Sequence, residues 1–260
     1  MTNVSDGCSF PEAYLTIERA QCQKLGEINY GPPVTNVYSP VEYAAETHEL
    51  YVRKFCTGTK EVLFLGMNPG PFGMAQNGVP FGDTEYVRNW MKIEGDVGRP
   101  LAEHPKRKIL GLHCTRSEVS GQRFWGLFSS LCPSPETFFE HCFVHNYCPL
   151  AFLTSSGSNI TPNKLPLEAR RALHVCCDGA LLSVLVLLRP KLVIGVGRYA
   201  RERTLNALKG ALGHDLVDWD MKVASVTHPS PASPRANKGW KDLALRELDQ
   251  LGVLAYFDSP

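Results

Sequence analysis

Four short apolar runs punctuate the chain: Val62-Leu63-Phe64-Leu65, Cys142-Phe143-Val144-His145, Leu192-Val193-Ile194-Gly195 and Val223-Ala224-Ser225-Val226. Continuous runs of this length, without polar alternation, suit strands buried on both faces of a parallel sheet. The segments between them repeat apolar residues at helical spacing. Ser39-Pro40-Val41-Glu42 reads as a helix start, with Ser39 as N-cap, Pro40 at the first helical position and Glu42 closing a capping box. That helix is expected to run to about Cys56. Asp83 is placed to cap a helix carrying Tyr86, Val87, Trp90 and Met91, and Phe124, Leu127, Phe128 and Leu131 mark another. Residues 166–188 read as a long helix with little exposed face, and residues 198–208 and 239–251 complete the set. Strands alternating with helices predict an α/β fold with a parallel sheet covered on both faces. Residues 1–30 show weak periodicity and read as a tail or peripheral segment; residues 31–260, without repeat or linker, read as a single domain.

Composition narrows the class. A chain of 260 residues, 43% hydrophobic and 20% charged, suits one large compact domain and excludes a disordered chain. The most apolar stretch, residues 180–188, is far shorter than the ~20 residues a spanning helix needs, so no membrane partner is expected. The polar, acidic start (Asp6, Glu12, Glu18) is unlike a secretory leader. Nine cysteines, with no Cys-x-x-Cys, suit free thiols buried as small hydrophobes in a reducing compartment. They speak against a zinc ribbon, a redox pair or a clustered iron–sulfur site. His104, His113, His141 and His145 have no metal-binding spacing. The net charge of +1 hides an asymmetry: residues 161–246 carry fourteen Lys/Arg against seven Asp/Glu, and residues 1–60 five against seven. A basic C-terminal half is either a face for a polyanion or a solvated helix surface.

The specialised residues fall where the predicted strands end. The first strand runs into Gly66-Met67-Asn68-Pro69-Gly70-Pro71-Phe72-Gly73, the second into Asn146, the third into Gly195-Val196-Gly197 and the fourth into Thr227-His228-Pro229-Ser230-Pro231. In open α/β sheets ligands bind beyond the carboxyl ends of the strands, so four such loops at one rim predict a single site. The first loop can present rigid backbone donors to an anion or a carbonyl oxygen, but it lacks the Gly-Lys-Ser/Thr of a P-loop. Gly195-x-Gly197-x-x-Ala200 is similar to a dinucleotide fingerprint. Lying on the third strand, it more simply opens a helix whose amides can hold a phosphate.

The segment 66–74, Gly-Met-Asn-Pro-Gly-Pro-Phe-Gly-Met, together with His228-Pro229-Ser230-Pro231, resembles the single-strand-selective monofunctional uracil-DNA glycosylases. The resemblance extends over residues 30–251, including Val79-Pro80-Phe81-Gly82, His145-Asn146-Tyr147-Cys148-Pro149-Leu150 and Ala236-Asn237-Lys238-Gly239-Trp240. It implies a three-layer α/β/α sandwich around a central four-stranded parallel sheet. It also implies excision of uracil and 5-substituted uracils, notably 5-hydroxymethyluracil, from single- and double-stranded DNA, without metal or cofactor. A monomer and a nuclear address are expected with that substrate; Lys106-Arg107-Lys108 is a short basic cluster that does not by itself prove import.

On this reading the target nucleotide is flipped into a pocket, where Phe81 stacks on its ring and Asn146 pairs with N3–H and O4. Met67 lines the pocket through its backbone, and Gly70 leaves room beside C5. His228 donates to O2 as negative charge develops there, and Asn68 positions the attacking water. Related uracil-specific enzymes carry an aspartate at the Asn68 position. No lysine is placed as a nucleophile. DNA contacts are expected from Ser156, Asn159, Asn163, Lys164 and Arg170, from Gly197, and from a wedge containing Pro231, Ala232, Ser233, Arg235 and Lys238. The family carries a larger basic residue where this chain has Ala232. Two other classes stay open from the residues: a non-catalytic uracil-DNA-binding module of the same fold, and a cytosolic hydrolase built on Cys148 and His228.

Overall fold

In chain order the elements are α1 (Phe10–Gly26), β1 (Asn36–Tyr38), α2 (Pro40–Tyr43), α3 (Ala45–Phe55), β2 (Val62–Gly66), α4 (Met74–Asn77), α5 (Val119–Leu131), α6 (Pro135–His141), β3 (Cys142–Asn146), β4 (Ala151–Leu153), β5 (Asn159–Ile160), α7 (Leu167–Leu188), β6 (Leu192–Val196), α8 (Arg198–Ala211), β7 (Lys222–Val226) and α9 (Trp240–Gln250). A computed structural model describes residues 9–211 and 220–257.

The four apolar runs form one parallel sheet in the order β3-β2-β6-β7. β2, β3 and β6 are buried at every position, as strands covered on both faces must be, whereas edge strand β7 keeps Lys222 exposed. Alternation along the strands assigns the layers. Phe64 meets Phe124 and Phe128 of α5, and its register partner Val144 shares that face. Phe143 and His145 point the other way, onto Tyr14 of α1. α7 and α8 pack on each other, α7 also on α1 and α8 on β6, and α5 packs on α9. The fold is the expected α/β/α sandwich.

Several local expectations are corrected. The helix from Ser39 is two pieces, broken at Ala44, and Ser39 makes no capping hydrogen bond. Asp83 does accept the Glu85 N–H, but Tyr86–Trp90 forms a π-helical turn. A second, antiparallel sheet, β1-β4-β5, lies beside the main one. Of the segment read as a tail or peripheral piece, residues 1–8 lie outside the described residues, and the described part is not peripheral: α1 sends Tyr14, Leu15 and Leu25 into the main core. α7 exposes Leu167, Val175 and Val186. By length and composition alone it passes for a membrane-spanning helix, but here its Leu173, Cys177, Leu181 and Leu185 belong to the protein core.

α1 also carries charge into that core. Glu18 is buried, with one carboxylate oxygen 2.6 Å from His48 Nε2 and the other accepting from Tyr14 Oη at 3.3 Å. His48 Nδ1 faces the Gly78 carbonyl at 2.7 Å. Both ring nitrogens therefore meet acceptors, which calls for the doubly protonated imidazolium. Although burial opposes the charge, the Glu18 carboxylate raises the His48 pKa and is itself held below the usual carboxylate range by His48. His145, 2.6 Å from Tyr14 Oη, is driven by burial to about 4 and stays neutral. This network anchors the strand position immediately before Asn146.

Candidate active site

Register brings the specialised loops together. Gly66 pairs with Asn146 at the ends of β2 and β3, and Val196 pairs with Val226 at the ends of β6 and β7. The chain then continues the ladder, with the Tyr147 and Cys148 N–H groups donating to the Gly66 and Met67 carbonyls at 3.0 Å each. At this rim lies a cavity of about 700 Å³ whose walls include Met67, Asn68, Gly70, Phe81, Asn146 and His228. Six of the residues assigned from the sequence to base recognition and chemistry thus share one cavity.

Phe81 is held by strain and close packing. Its φ of 54° is left-handed, an uncommon conformation for a bulky side chain. The flanking turn is clamped by Asn77, which accepts from Val79 N–H and donates to the Gly82 carbonyl, and by Trp125 Nε1, which donates to the Pro80 carbonyl. Gly121 lets α5 approach, since a Cβ there would lie 1.9 Å from the Phe81 carbonyl oxygen. The Phe81 ring stacks on Phe124 at 4.8 Å and 13°, a rigid backing for an aromatic wall.

Asn146 is buried, its Nδ2 3.1 Å from Met74 Sδ. Its Oδ1 occupies the space that a Cβ on Gly66 would enter at 2.1 Å, and the Phe81 ring borders the same space at 2.9 Å. The carboxamide and the aromatic wall therefore meet above Gly66. Sulfur is a weak acceptor, so the amide keeps hydrogen-bonding capacity for a planar polar ligand.

His228 follows β7 on a firmly tied segment. Thr227 donates through N–H and Oγ1 to Glu247, Trp240 Nε1 donates to the Thr227 carbonyl, and Arg123 donates to the Pro229 carbonyl. The Ser230 N–H donates to His228 Nδ1 at 3.0 Å. In a neutral ring that leaves the proton on Nε2. Burial lowers the His228 pKa to about 4, so the ring is neutral across the physiological range. Its centroid lies 6.2 Å from that of Phe81. Gly197, expected at the DNA, packs against the imidazole: its φ is +91°, and a Cβ there would be 3.1 Å from His228 Cβ. Gly195 admits the start of α8, with Arg201 N 2.3 Å from where its Cβ would be.

Asn68 Nδ2 donates to the Leu150 carbonyl at 3.2 Å. That bond fixes the amide and directs its acceptor oxygen, unpartnered among the described residues, to other work. Gly70 is not open space. A Cβ there would lie 2.6 Å from Glu118 Oε2, so the Glu118 carboxyl fills the vacant side of the glycine. Glu118, which sequence reasoning missed, lines the cavity and accepts from Ser120 N–H. Burial, reinforced by the nearby Asp83 charge, raises its pKa. The only signal in the sequence was an acid at the start of a helix, which does not reveal its contact with Gly70.

The expected DNA contacts divide. Asn159, Pro231, Ala232 and Ser233 line the cavity, and Ser156 lies in an exposed turn bonded to Thr154 and Ser158. Arg235 and Lys238 are exposed beside it, Arg235 with Glu247 at 3.7 Å. Asn163 and Arg170 bond to each other and line a separate depression with α8 residues, and Lys164 is exposed in the turn between β5 and α7. Cys148 is fully buried, does not line the cavity and points its thiol at the Leu150 carbonyl, which removes the Cys148–His228 hydrolase. Among the described residues no three His, Cys, Asp or Glu side chains form a metal-ligand group, and no lysine lines the cavity.

A rigid aromatic wall, a buried carboxamide and a neutral imidazole at the carboxyl rim of a parallel sheet define an α/β protein built to recognise a planar polar ring, and the profile of the uracil DNA glycosylase superfamily matches residues 53–249. The rat single-strand selective monofunctional uracil-DNA glycosylase is 51% identical over 246 residues, covering 95% of this chain and 86% of the relative. The bovine protein of the same name is 50% identical over 251 residues, covering 96% and 90%. The chain belongs to the single-strand selective monofunctional uracil-DNA glycosylase family of that superfamily. The crystal structure of wild-type Pedobacter heparinus SMUG2 superposes with a TM-score of 0.65 over 96% of this chain and 99% of that one; at 15% identity it speaks for the fold alone.

Proposed function

We propose that this protein is a monofunctional DNA glycosylase that hydrolyses the N-glycosidic bond of uracil and of 5-substituted uracils, 5-hydroxymethyluracil among them, in single- and double-stranded DNA, leaving an abasic site. One observation carries the reading: Asn146 and His228, 82 positions apart along the chain, face the same cavity with the Phe81 ring beside both.

A base in a duplex is out of reach, so the nucleotide swings out of the stack and its ring lies on Phe81. Asn146 then offers an acceptor to N3–H and a donor to O4. Cytosine presents the reverse pattern and would leave buried polar groups unpaired, a costly mismatch. As the C1′–N1 bond breaks, the electron pair passes to the base, and the Nε2–H of His228 donates to O2 where that charge gathers. A neutral donor suits this task, since it strengthens its bond as charge develops without drawing counter-ions beforehand. Water held by the Asn68 oxygen adds to the cationic C1′, and its proton leaves for solvent while the departed base takes one up. An amide cannot act as a base, so stabilisation of the leaving group supplies most of the rate.

The Glu118 carboxyl, which fills the space beside Gly70 and lines the cavity, offers an acceptor oxygen for the hydroxyl of a hydroxymethyl group at the C5 edge. Contacts through Asn159 and residues 231–238 hold the strand, and a nuclear address and a monomeric state are expected with a chromosomal substrate and a site built within one chain. The test is a panel of oligonucleotides bearing uracil, 5-hydroxymethyluracil, thymine or cytosine, single-stranded and paired. Release of the first two, with strand scission only after alkali, is expected. Binding without release would make the protein a recognition module, and scission without alkali would overturn the monofunctional assignment.

A further inference from the structure

Phe72, on the rim of the cavity, lies beneath two guanidinium groups. Arg116 Cζ is 3.8 Å from its ring centroid and Arg107 Cζ 5.4 Å. Arg116 is exposed and itself lines the cavity. Neither arginine, nor neighbouring Lys106, is in an ion pair among the described residues; Arg107 Nη1 donates to the Lys106 carbonyl at 2.9 Å, which leaves Nη2 as its outward donor, and its Nε is buried without a hydrogen-bond partner. The Lys106 loop abuts the turn that holds Ser156: a Cβ on Gly157 would lie 3.3 Å from Lys106 Cβ.

A guanidinium stacked on an aromatic ring uses its face for the ring and keeps its N–H edge free for a planar, bidentate acceptor such as a phosphate. On the other loop at the mouth, Arg235 already has Glu247 3.7 Å away, and position 232 is an alanine. That loop keeps Lys238 as a cation without an ion pair among the described residues, whereas the Phe72 side presents two guanidinium groups gathered on one ring.

We propose that Arg107, Phe72 and Arg116 form a phosphate-binding platform that grips the backbone of the strand carrying the flipped nucleotide. This rests on the glycosylase reading and extends it to a surface that the base-recognition residues do not include. Because the platform engages one strand, it works on DNA without a complement.

The test is equilibrium binding of a single-stranded oligonucleotide containing a 2′-fluorinated, uncleavable uracil nucleotide, measured by anisotropy between 50 and 200 mM NaCl. Arg116→Gln and Arg107→Gln are each expected to weaken binding roughly three- to tenfold and to reduce the slope of log K against log salt by about 0.7, one single-strand phosphate each. Lys241→Gln, on α9, serves as the control for a lost surface charge and should leave affinity and slope unchanged. If one arginine variant fails to fold by circular dichroism, the other carries the test alone. Wild-type affinity and slope in a folded variant would overturn the platform. Uracil release by the wild-type protein is scored separately: its failure overturns the glycosylase reading, whereas release alongside unaltered binding in the variants overturns the platform only.

Discussion

The backbone N–H of Ser230 donates to Nδ1 of His228 at 3.0 Å, and this bond decides which nitrogen of the neutral ring carries the proton. With Nδ1 occupied as an acceptor, Nε2–H is the donor left to a ring that lines the cavity. The ring's pKa of about 4 then predicts a pH profile. kcat/KM for uracil release should show no break near 6.5 from this group, its acidic limb lying near pH 4. Stability follows the same sign. Unfolded, the imidazole titrates near 6.5; folded, near 4, so between those values the unfolded chain binds the extra proton. The contribution of His228 is full above about pH 6.5 and is lost as pH falls toward 4. Urea melts of wild type and His228→Leu at pH 5 and pH 7 check it: the wild type should lose more stability between the two pH values than the variant.

Asn146 sits where Gly66 leaves space for its oxygen, so its amide is aimed by the backbone. Asn146→Asp keeps the shape and removes the donor. The variant should release uracil at least tenfold more slowly and narrow the ratio of uracil to cytosine release, since one good hydrogen bond is worth about that factor. An unchanged ratio would remove Asn146 as the reader of the base.

Gly121 stands against the Phe81 carbonyl, and a Cβ at 1.9 Å from that oxygen forces α5 or the aromatic wall to move. Gly121→Ala should cost about 1–3 kcal/mol or more, as overpacking does, seen as a drop of several degrees in Tm. Gly26, with no neighbouring atom within 4 Å of its Cβ position, is the tolerant comparison.

Glu18 and His48 are a buried pair at 2.6 Å. Removing one partner strands the other, so Glu18→Ala should destabilise the fold by about 3–5 kcal/mol. Removal of residues 1–26 should abolish cooperative melting, because α1 supplies Tyr14, Leu15 and Leu25 to the core. A truncated chain that melts like the full one would restore the view of this segment as peripheral.

The central sheet was legible because Val62–Gly66, Cys142–Asn146 and Leu192–Val196 are buried on both sides and read as unbroken apolar runs. The small sheet was not, since strands of two or three residues carry no period to detect. α1 was misjudged because Glu18 and Gln21 are polar yet buried, and their partners His48 and Tyr147 are distant in sequence. Asn68, Asn146 and His228 stood out as unusual residues at strand ends, which the parallel register gathers at one rim. Glu118 and the arginines over Phe72 did not, because no pattern in the chain shows that the start of α5 meets Gly70 or that Arg107 and Arg116, far from Phe72 in sequence, reach its ring.

The most direct measurement is single-turnover release of uracil from a single-stranded oligonucleotide by wild type, Asn68→Ala and His228→Leu. Wild type should convert the substrate to alkali-labile abasic product, and each variant, folded by circular dichroism, should be slower by about 10²–10³-fold, the usual loss when one transition-state donor is removed. Release at the wild-type rate by both variants would contradict the roles given to the carboxamide and the imidazole.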